Sequence, residues 1–305
     1  MTNGEQVALG LKIDVDTLVG YRRGVPALLE QLAAAGVRAT FFFAVGPDRS
    51  GVAIRRLFTQ RGFLGKMIRN RAPATYGLRT MLYGTLLPAP LIVASDPEIV
   101  RATAAAGHEV GVHGWDHVGW HDGVGGMSRE LLRSRLSRAF DTLGEIVGYR
   151  PSCFAAPGWQ CSLESLAHHD DAGLRYASDV RGRGGPFLPR IADCTFRTPQ
   201  IPTSLPTLDE MWGGEVRDGT EAVARWASML KAGVNVLTAH AEIEGMAVRG
   251  ALGGFIAVLR DRGASVGTLG EIMSTAEADR LPVKEIAPAA MPGRAGRVWC
   301  VADEP

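Results

Sequence analysis

The sequence predicts an α/β chain folded as a (β/α) barrel. Short apolar strands alternate with amphipathic helices over most of the length, which implies parallel strands joined by crossover helices. The alternating part is about 240 residues long, and no Gly-rich phosphate loop opens the first helix, so a barrel fits better than an open dinucleotide-type sheet. Polar residues able to do chemistry fall at the C-terminal ends of strands, the end where such barrels carry function.

The elements follow in order. Val7 to Asp16 alternates apolar with small or polar residues and reads as a strand. Val25 to Ala35 is an amphipathic helix with Pro26 in its first turn and Gly36 as its stop. Val37 to Val45 is β-branched and aromatic, a buried strand. Ser95-Asp96-Pro97-Glu98 has the pattern of a capping box opening a helix that ends at Gly107. His108 to Val112 is a third strand. Ser128 to Val147 is a long helix with Leu132, Leu136, Ala139, Phe140, Leu143 and Val147 on one face. Pro151 to Ala156 is a fourth strand, Ser162 to Ala172 a helix, and Arg175 to Asp179 and Asn235 to His240 are further strands. Phe255 to Arg262 and Leu269 to Ala278 read as helices. Residues 1–280 thus form one domain, and 281–305 a loose Pro/Ala/Gly-rich tail.

The chain has 305 residues, 46% of them apolar and 21% charged, the balance of an ordinary folded protein with ample core. A net charge of +1 excludes a protein that coats nucleic acid through bulk charge. No apolar run reaches the length of a membrane span, and Glu5, Lys12, Asp14 and Asp16 interrupt any signal-peptide pattern. Cys153, Cys161, Cys194 and Cys300 include no CxxC pair and read as reduced cytosolic thiols.

The small net charge hides an asymmetry. From Arg49 to Ser95 there is no Asp or Glu, while Arg49, Arg55, Arg56, Arg61, Lys66, Arg69, Arg71 and Arg79 are basic. The segment 47–95 reads as a basic amphipathic insertion, with basic and large apolar residues at helical spacing between Val52 and Ile68. That composition suits a helix lying in an anionic membrane surface, its apolar side chains dipped in and its cations at the phosphates. A solvated basic helix packed on the domain is the plainer alternative.

Three places carry chemistry. Asp14 and Asp16 close the first strand, and residues two apart in a strand point to the same side. Adjacent carboxylates repel unless a cation lies between them; a solvated pair in a loop is the alternative. His113 and His117 follow the third strand and can meet one metal if the segment turns like a helix, although four-residue spacing also arises by chance. His240 ends the strand Val236 to His240, either as an acid or base or as a satisfied core histidine. His108 and His121 read as structural or solvent-facing. One carboxylate plus two imidazoles leaves an open metal position, the pattern of a catalytic site. An ion there lowers the pKa of a bound water towards ~7. A second carboxylate can take a proton and a histidine across the pocket can return one to a leaving amine. Together these parts describe hydrolysis of an amide.

Ile13-Asp14-Val15-Asp16, His113-Gly114-Trp115-Asp116-His117, Phe154-Ala155-Ala156-Pro157-Gly158-Trp159 and Leu237-Thr238-Ala239-His240 resemble, in order and spacing, the motifs of the polysaccharide deacetylase (NodB-homology, carbohydrate esterase 4) family. The resemblance covers Val7 to Ala278. It implies a distorted (β/α) barrel of about seven strands and one divalent metal ion, whether zinc, cobalt or manganese. It also implies Asp14 as general base, His240 as general acid, and Asp16, His113 and His117 as metal ligands. Many members carry an Arg where Ala155 or Ala156 stands; here Arg150 or Arg181 is the expected source of a charge to orient Asp14.

Further strings resemble a deformylase branch of that family. They include Val45-Gly46-Pro47-Asp48, Ser178-Asp179-Val180-Arg181-Gly182, Thr198-Pro199-Gln200-Ile201-Pro202 and Ala241-Glu242-Ile243-Glu244-Gly245. This resemblance implies removal of formate from a formamido sugar linked to undecaprenyl phosphate, in lipid A modification and resistance to cationic peptides. It implies a cytoplasmic protein, peripheral on the inner face of the cytoplasmic membrane, for which the basic insertion supplies a surface contact. An N-deacetylase of a glycan or peptidoglycan is the alternative, and an inactive membrane-surface module a third reading. Glu242 and Glu244 are open as substrate contacts, and Trp115, Trp159 and Trp212 suit sugar stacking and core packing equally.

Overall fold

The structure is a computed structural model and describes residues 7–55, 79–294 and 296–302. Strands β1 (Val7–Val15), β2 (Thr40–Phe43), β3 (Glu109–Val112), β4 (Cys153–Phe154) and β5 (Tyr176–Ala177) alternate with helices α1 (Val25–Ala35), α2 (Pro97–Ala105), α3 (His117–Gly123), α4 (Arg129–Val147) and α5 (Leu163–Asp171). A small unit follows, with β6 (Leu188–Ile191), β7 (Cys194–Thr195) and α6 (Leu208–Met211). The chain then returns through α7 (Gly219–Met229), β8 (Gly233–His240), α8 (Ala251–Asp261), β9 (Ser265–Gly267) and α9 (Leu269–Thr275), and ends in β10 (Val283–Ala290) and β11 (Arg297–Val301).

The main sheet has seven strands in the order β5-β4-β3-β2-β1-β8, with β9 also paired to β1. Every pair in it is parallel, so all strands end on the same face. The sheet curls but does not close by strand pairing. Residues 199–205 run through the gap between β5 and β8. Ile201 N–H donates to Ala177 at 2.8 Å, and Ser204 and Leu205 N–H donate to the Val236 carbonyl at 3.1 and 3.0 Å. Pro199 and Pro202 lack N–H donors, so this segment cannot build a regular ladder. That is the physical source of the distortion in the barrel.

Local signals explain most elements. Gly36 stops α1 in the left-handed conformation at φ 64°. Ser128 caps α4, and Leu132, Leu136, Ala139, Phe140 and Leu143 are its buried face. Ser162 and Thr268 open α5 and α9 with capping boxes. The box expected at Ser95 is absent: Asp96 is the N-cap of α2 and Ser95 Oγ donates instead to Ile92. Strands β2, β4 and β5 are shorter than the runs that predict them, because only their central residues find ladder partners.

The expectation of a loose tail beyond Leu281 is corrected. β10 pairs β6 and β11 in a four-stranded sheet, and Arg181 N–H donates to Trp299 at 2.8 Å. Alternating Val298, Cys300 and Ile286 are buried, a pattern that Pro and Gly on either side obscure.

The insertion leaves and rejoins the barrel at one point. Asp48 N–H donates to Pro90, Ile92 N–H to Gly46, and Gly51 N–H to Tyr83. Described within it are 3-10 turns at Ser50–Arg55 and Thr80–Leu82. The helix expected between Val52 and Ile68 falls largely on residues 56–78, outside the described residues.

Candidate active site

β1 sorts its side chains by parity. Leu9, Leu11, Ile13 and Val15 enter the core beneath the helices. Gly10, Lys12 and Asp14 face the barrel interior, and Asp16 follows on the same side one step past the strand end. At Gly10 a Cβ would overlap Ile272 and Leu269 of α9, which plugs the barrel floor. Above that floor the interior becomes polar.

Asp16, His113 and His117 meet at the mouth. Each offers one ligand atom, and these atoms all lie within 4.8 Å of one another. His113 Nε2 is 3.3 Å from Asp16 Oδ1, and His117 Nε2 is 3.4 Å from Asp16 Oδ2. Ligands about 2.0–2.2 Å from one ion at tetrahedral angles lie roughly 3.3–3.6 Å apart. His113 Nδ1 is 2.7 Å from the Ala155 carbonyl, which makes Nδ1 the protonated nitrogen and turns the Nε2 lone pair to the mouth. Asp16 Oδ1 is buried and accepts no hydrogen bond. The donor set therefore fits a divalent cation. The neighbouring imidazoles hold the Asp16 carboxyl well below the usual range against the opposing effect of burial. The turn between the two histidines needs Gly114, at φ 81°.

Asp14 lies beside this set without joining it. Its Oδ2 is 3.8 Å from His113 Nε2 and 3.4 Å from Lys12 Nζ, and its buried Oδ1 accepts no hydrogen bond. His240 faces the same space from β8. Its Nδ1 is 3.9 Å from Asp209 Oδ1. Burial works to lower the His240 pKa, but Asp209, Asp16, Asp14 and Glu244 outweigh it and raise it. A cation on Asp16 would remove much of that residue's share.

The five residues singled out from sequence thus converge. The expected orienting charge does not come from either arginine. Arg150 pairs with Asp141 on the surface, and Arg181 is spent on Glu210 and the Leu205 carbonyl. The basic side chain beside Asp14 is Lys12, from within β1, with Nζ 3.4 Å from Oδ2. Period-two spacing to Asp14 and Asp16 was the signal for it. His108 is structural: its Nδ1 accepts the Ala39 N–H at 3.1 Å.

Sequence reasoning left Glu242 and Glu244 open and did not single out Asp48 or Asp209. Glu242 Oε1 accepts from the N–H groups of Asp16 and Thr17 at 3.2 and 2.9 Å and from Thr17 Oγ1 at 2.7 Å. Glu244 Oε2 accepts the His240 N–H at 2.8 Å. Burial pushes both glutamates up to about 7. Asp48 Oδ2 accepts the Leu18 N–H at 2.8 Å, so the loop carrying Asp16 is gripped from both sides. Arg49 adds a further brace, with Nη1 2.9 Å from Asp116 Oδ2, while Asp116 Oδ1 caps α3 at Gly119 N. The tryptophans also separate. Trp159 is buried with Lys12, Arg181 and Arg294 over its ring, which is packing and not sugar stacking. The Trp115 ring, half-buried, is covered by Arg138 at 4.0 Å.

Comparison with known proteins agrees with this geometry. Residues 13–177 match the family described as polysaccharide deacetylase. The chain is 38% identical over 247 residues to a protein of Shewanella sediminis named as the 4-deoxy-4-formamido-L-arabinose-phosphoundecaprenol deformylase ArnD, covering 81% of this chain and 79% of that one. It is 31% identical to a Wigglesworthia glossinidia brevipalpis protein of the same name, covering 91% and 96%. Among solved structures, a polysaccharide deacetylase from Mycobacterium smegmatis shares the fold at TM-score 0.63 and 20% identity, covering 94% of this chain and 96% of that one. A family 4 acetyl xylan esterase from Clostridium thermocellum, solved with a cobalt ion, superposes at TM-score 0.51 and 16% identity, covering 88% and 90%. The chain belongs to the polysaccharide deacetylase family, as a hydrolase that acts on an amide bond.

Proposed function

We propose that the protein removes formate from 4-deoxy-4-formamido-L-arabinose carried on undecaprenyl phosphate, in the modification of lipid A that confers resistance to polymyxin and other cationic peptides. The observation that carries this reading is the convergence of Asp16, His113 and His117 on one spot, with Asp14 and His240 beside it. The substrate is taken from the relatives named as deformylases of that lipid-linked sugar.

Asp16, His113 and His117 would hold one divalent ion, which would polarise the formyl carbonyl and acidify a water. Asp14 is the general base: its Oδ1 takes the proton of the attacking water. His240, whose pKa the surrounding carboxylates raise against burial, is the general acid and delivers its proton to the sugar nitrogen as the carbon–nitrogen bond breaks. The products are formate and the free amine. Asp209 orients His240, and Glu244 fixes its backbone.

The insertion serves the lipid. Its root, Asp48 and Arg49, touches the loops of the site, so the site mouth and the root of the insertion share one face of the molecule. Its described part exposes Leu86 (81%) and Leu91 (43%), and beyond Asp48 the segment 49–95 contains no acid. We assign this face to an anionic bilayer on the cytoplasmic side, where the undecaprenyl chain is anchored. Among the described residues no helix is long and apolar enough to cross a membrane.

The decisive experiment is mass spectrometry of the formamido-sugar lipid before and after incubation with metal-loaded protein. Loss of the formyl group supports the proposal. Unchanged lipid together with turnover of N-acetyl glycan oligomers would assign the glycan reading instead.

A further inference from the structure

Lys12 is fully buried, at 0% exposure, inside the barrel. Its Nζ donates to the Ser178 carbonyl at 3.1 Å and stands 3.4 Å from Asp14 Oδ2, between the rings of Phe42 and Trp159 at 5.6 and 5.3 Å. A buried ammonium is costly unless an anion compensates it. Burial lowers the Lys12 pKa, and the acids that oppose this are Asp14, in contact, and Asp179, whose Oδ2 is already engaged by His169 and Gln200. Arg181 acts on it in the opposite sense. The same holds in reverse. Asp14 is buried, its backbone N–H and carbonyl are used by the ladder, and its Oδ2 lies 3.4 Å from Lys12 Nζ. The two residues are two apart on one strand, so their relative placement is set by β1 alone.

We propose that Lys12 is the positioning residue of Asp14: it holds Oδ2 and thereby turns Oδ1 towards the mouth. This rests on the reading of Asp14 as the base. Oδ1 is the oxygen without a hydrogen-bond partner, and Oδ2 the one bound from below. A lysine from inside the strand thus takes the place that Ala155 and Ala156 leave without a charge.

The test is a double-mutant cycle of Lys12→Met and Asp14→Asn in full-length protein. Lys12→Met is expected to retain one metal ion per chain by elemental analysis and KM within about twofold, with kcat lowered about 100-fold, the loss typical of a misplaced catalytic group. In the Asp14→Asn background the same change is expected to cost no further turnover. Unchanged kcat in Lys12→Met, or losses that multiply in the double variant, would overturn the proposal. Thermal unfolding of the four metal-free proteins gives a second readout. Lys12→Met lowers Tm alone but not beside Asp14→Asn, because the double change leaves no unpaired buried charge. Additive Tm shifts would overturn it as well. If Lys12→Met does not fold and the double variant does, that rescue is itself the expected coupling. Wild-type protein inert on the lipid-linked sugar would refute the proposed substrate, and the unfolding cycle would still decide Lys12.

Discussion

Asp14 and His240 are register partners on adjacent parallel strands, β1 and β8, and the Ala241 N–H continues the ladder to the Asp14 carbonyl at 3.0 Å. The groups proposed as base and acid are therefore spaced by backbone pairing and not by a loop. Catalytic constellations need placement to roughly 0.5 Å, and paired strands supply that rigidity. The metal candidates sit just beyond the strand ends, on loops and at the start of α3, where braces replace the ladder.

Asp16→Ala and His117→Ala are expected to lose metal and activity together, read as metal content per chain and formate release. Asp14→Asn should keep its metal and lose about 10²–10⁴-fold in turnover, the usual contribution of a general base. Loss of metal from Asp14→Asn would reverse the roles given to the two aspartates.

Removal of the Glu242 acceptor strands the N–H groups of Asp16 and Thr17 in a buried place. Each unsatisfied donor costs about 1–3 kcal/mol. Glu242→Ala should weaken metal binding about 10- to 100-fold, as outer-shell partners generally do. Metal titration by calorimetry checks this, and unaltered affinity would show that the loop holds its shape without Glu242.

Arg49 braces Asp116, the N-cap residue that precedes His117. Arg49→Ala should weaken metal binding less than Glu242→Ala does, since Asp116 keeps its own bond to Gly119 N. An effect larger than that of Glu242→Ala would mean that Arg49 does more than brace the cap.

Glu244 carries a pH signature. Its ordinary value of 4.5 is pushed up to about 7 by burial, so the folded protein holds this proton more tightly than the unfolded chain. The associated stability is fully present below pH 4.5 and is lost as pH rises through 7, on the order of 3 kcal/mol in all. Glu244→Gln keeps an acceptor for the His240 N–H and removes the titration. Urea unfolding of metal-free protein should show the variant gaining on wild type from pH 5 to pH 8. Parallel stability curves would contradict the burial argument.

Membrane attachment should be electrostatic in part. Binding to vesicles containing anionic lipid is expected at low salt and should fall steeply as ionic strength rises. Co-sedimentation measures it. Absence of binding at low salt would remove the role assigned to the insertion.

The sequence by itself determined the parallel α/β order, the helix starts at Ser128 and Ser162, the helix stop at Gly36, and the polar residues at strand ends, since each rests on local periodicity or terminal residue chemistry. Asp14, Asp16, His113 and His240 were legible because each directly follows or closes an apolar strand, and His117 because it stands four residues beyond His113. The tertiary structure decided what depends on contacts between residues far apart in the chain. Glu242 lies 225 residues from Thr17, and only folding makes it the partner of the Asp16 loop. The pairing of β10 with β6, the closure of the barrel by a proline-interrupted segment, and the absence of any role for Arg150 at Asp14 have the same origin. Lys12 stands between the two cases. Its spacing from Asp14 was written in the strand, but only burial on every side turned a neighbouring lysine into a fixed counter-charge.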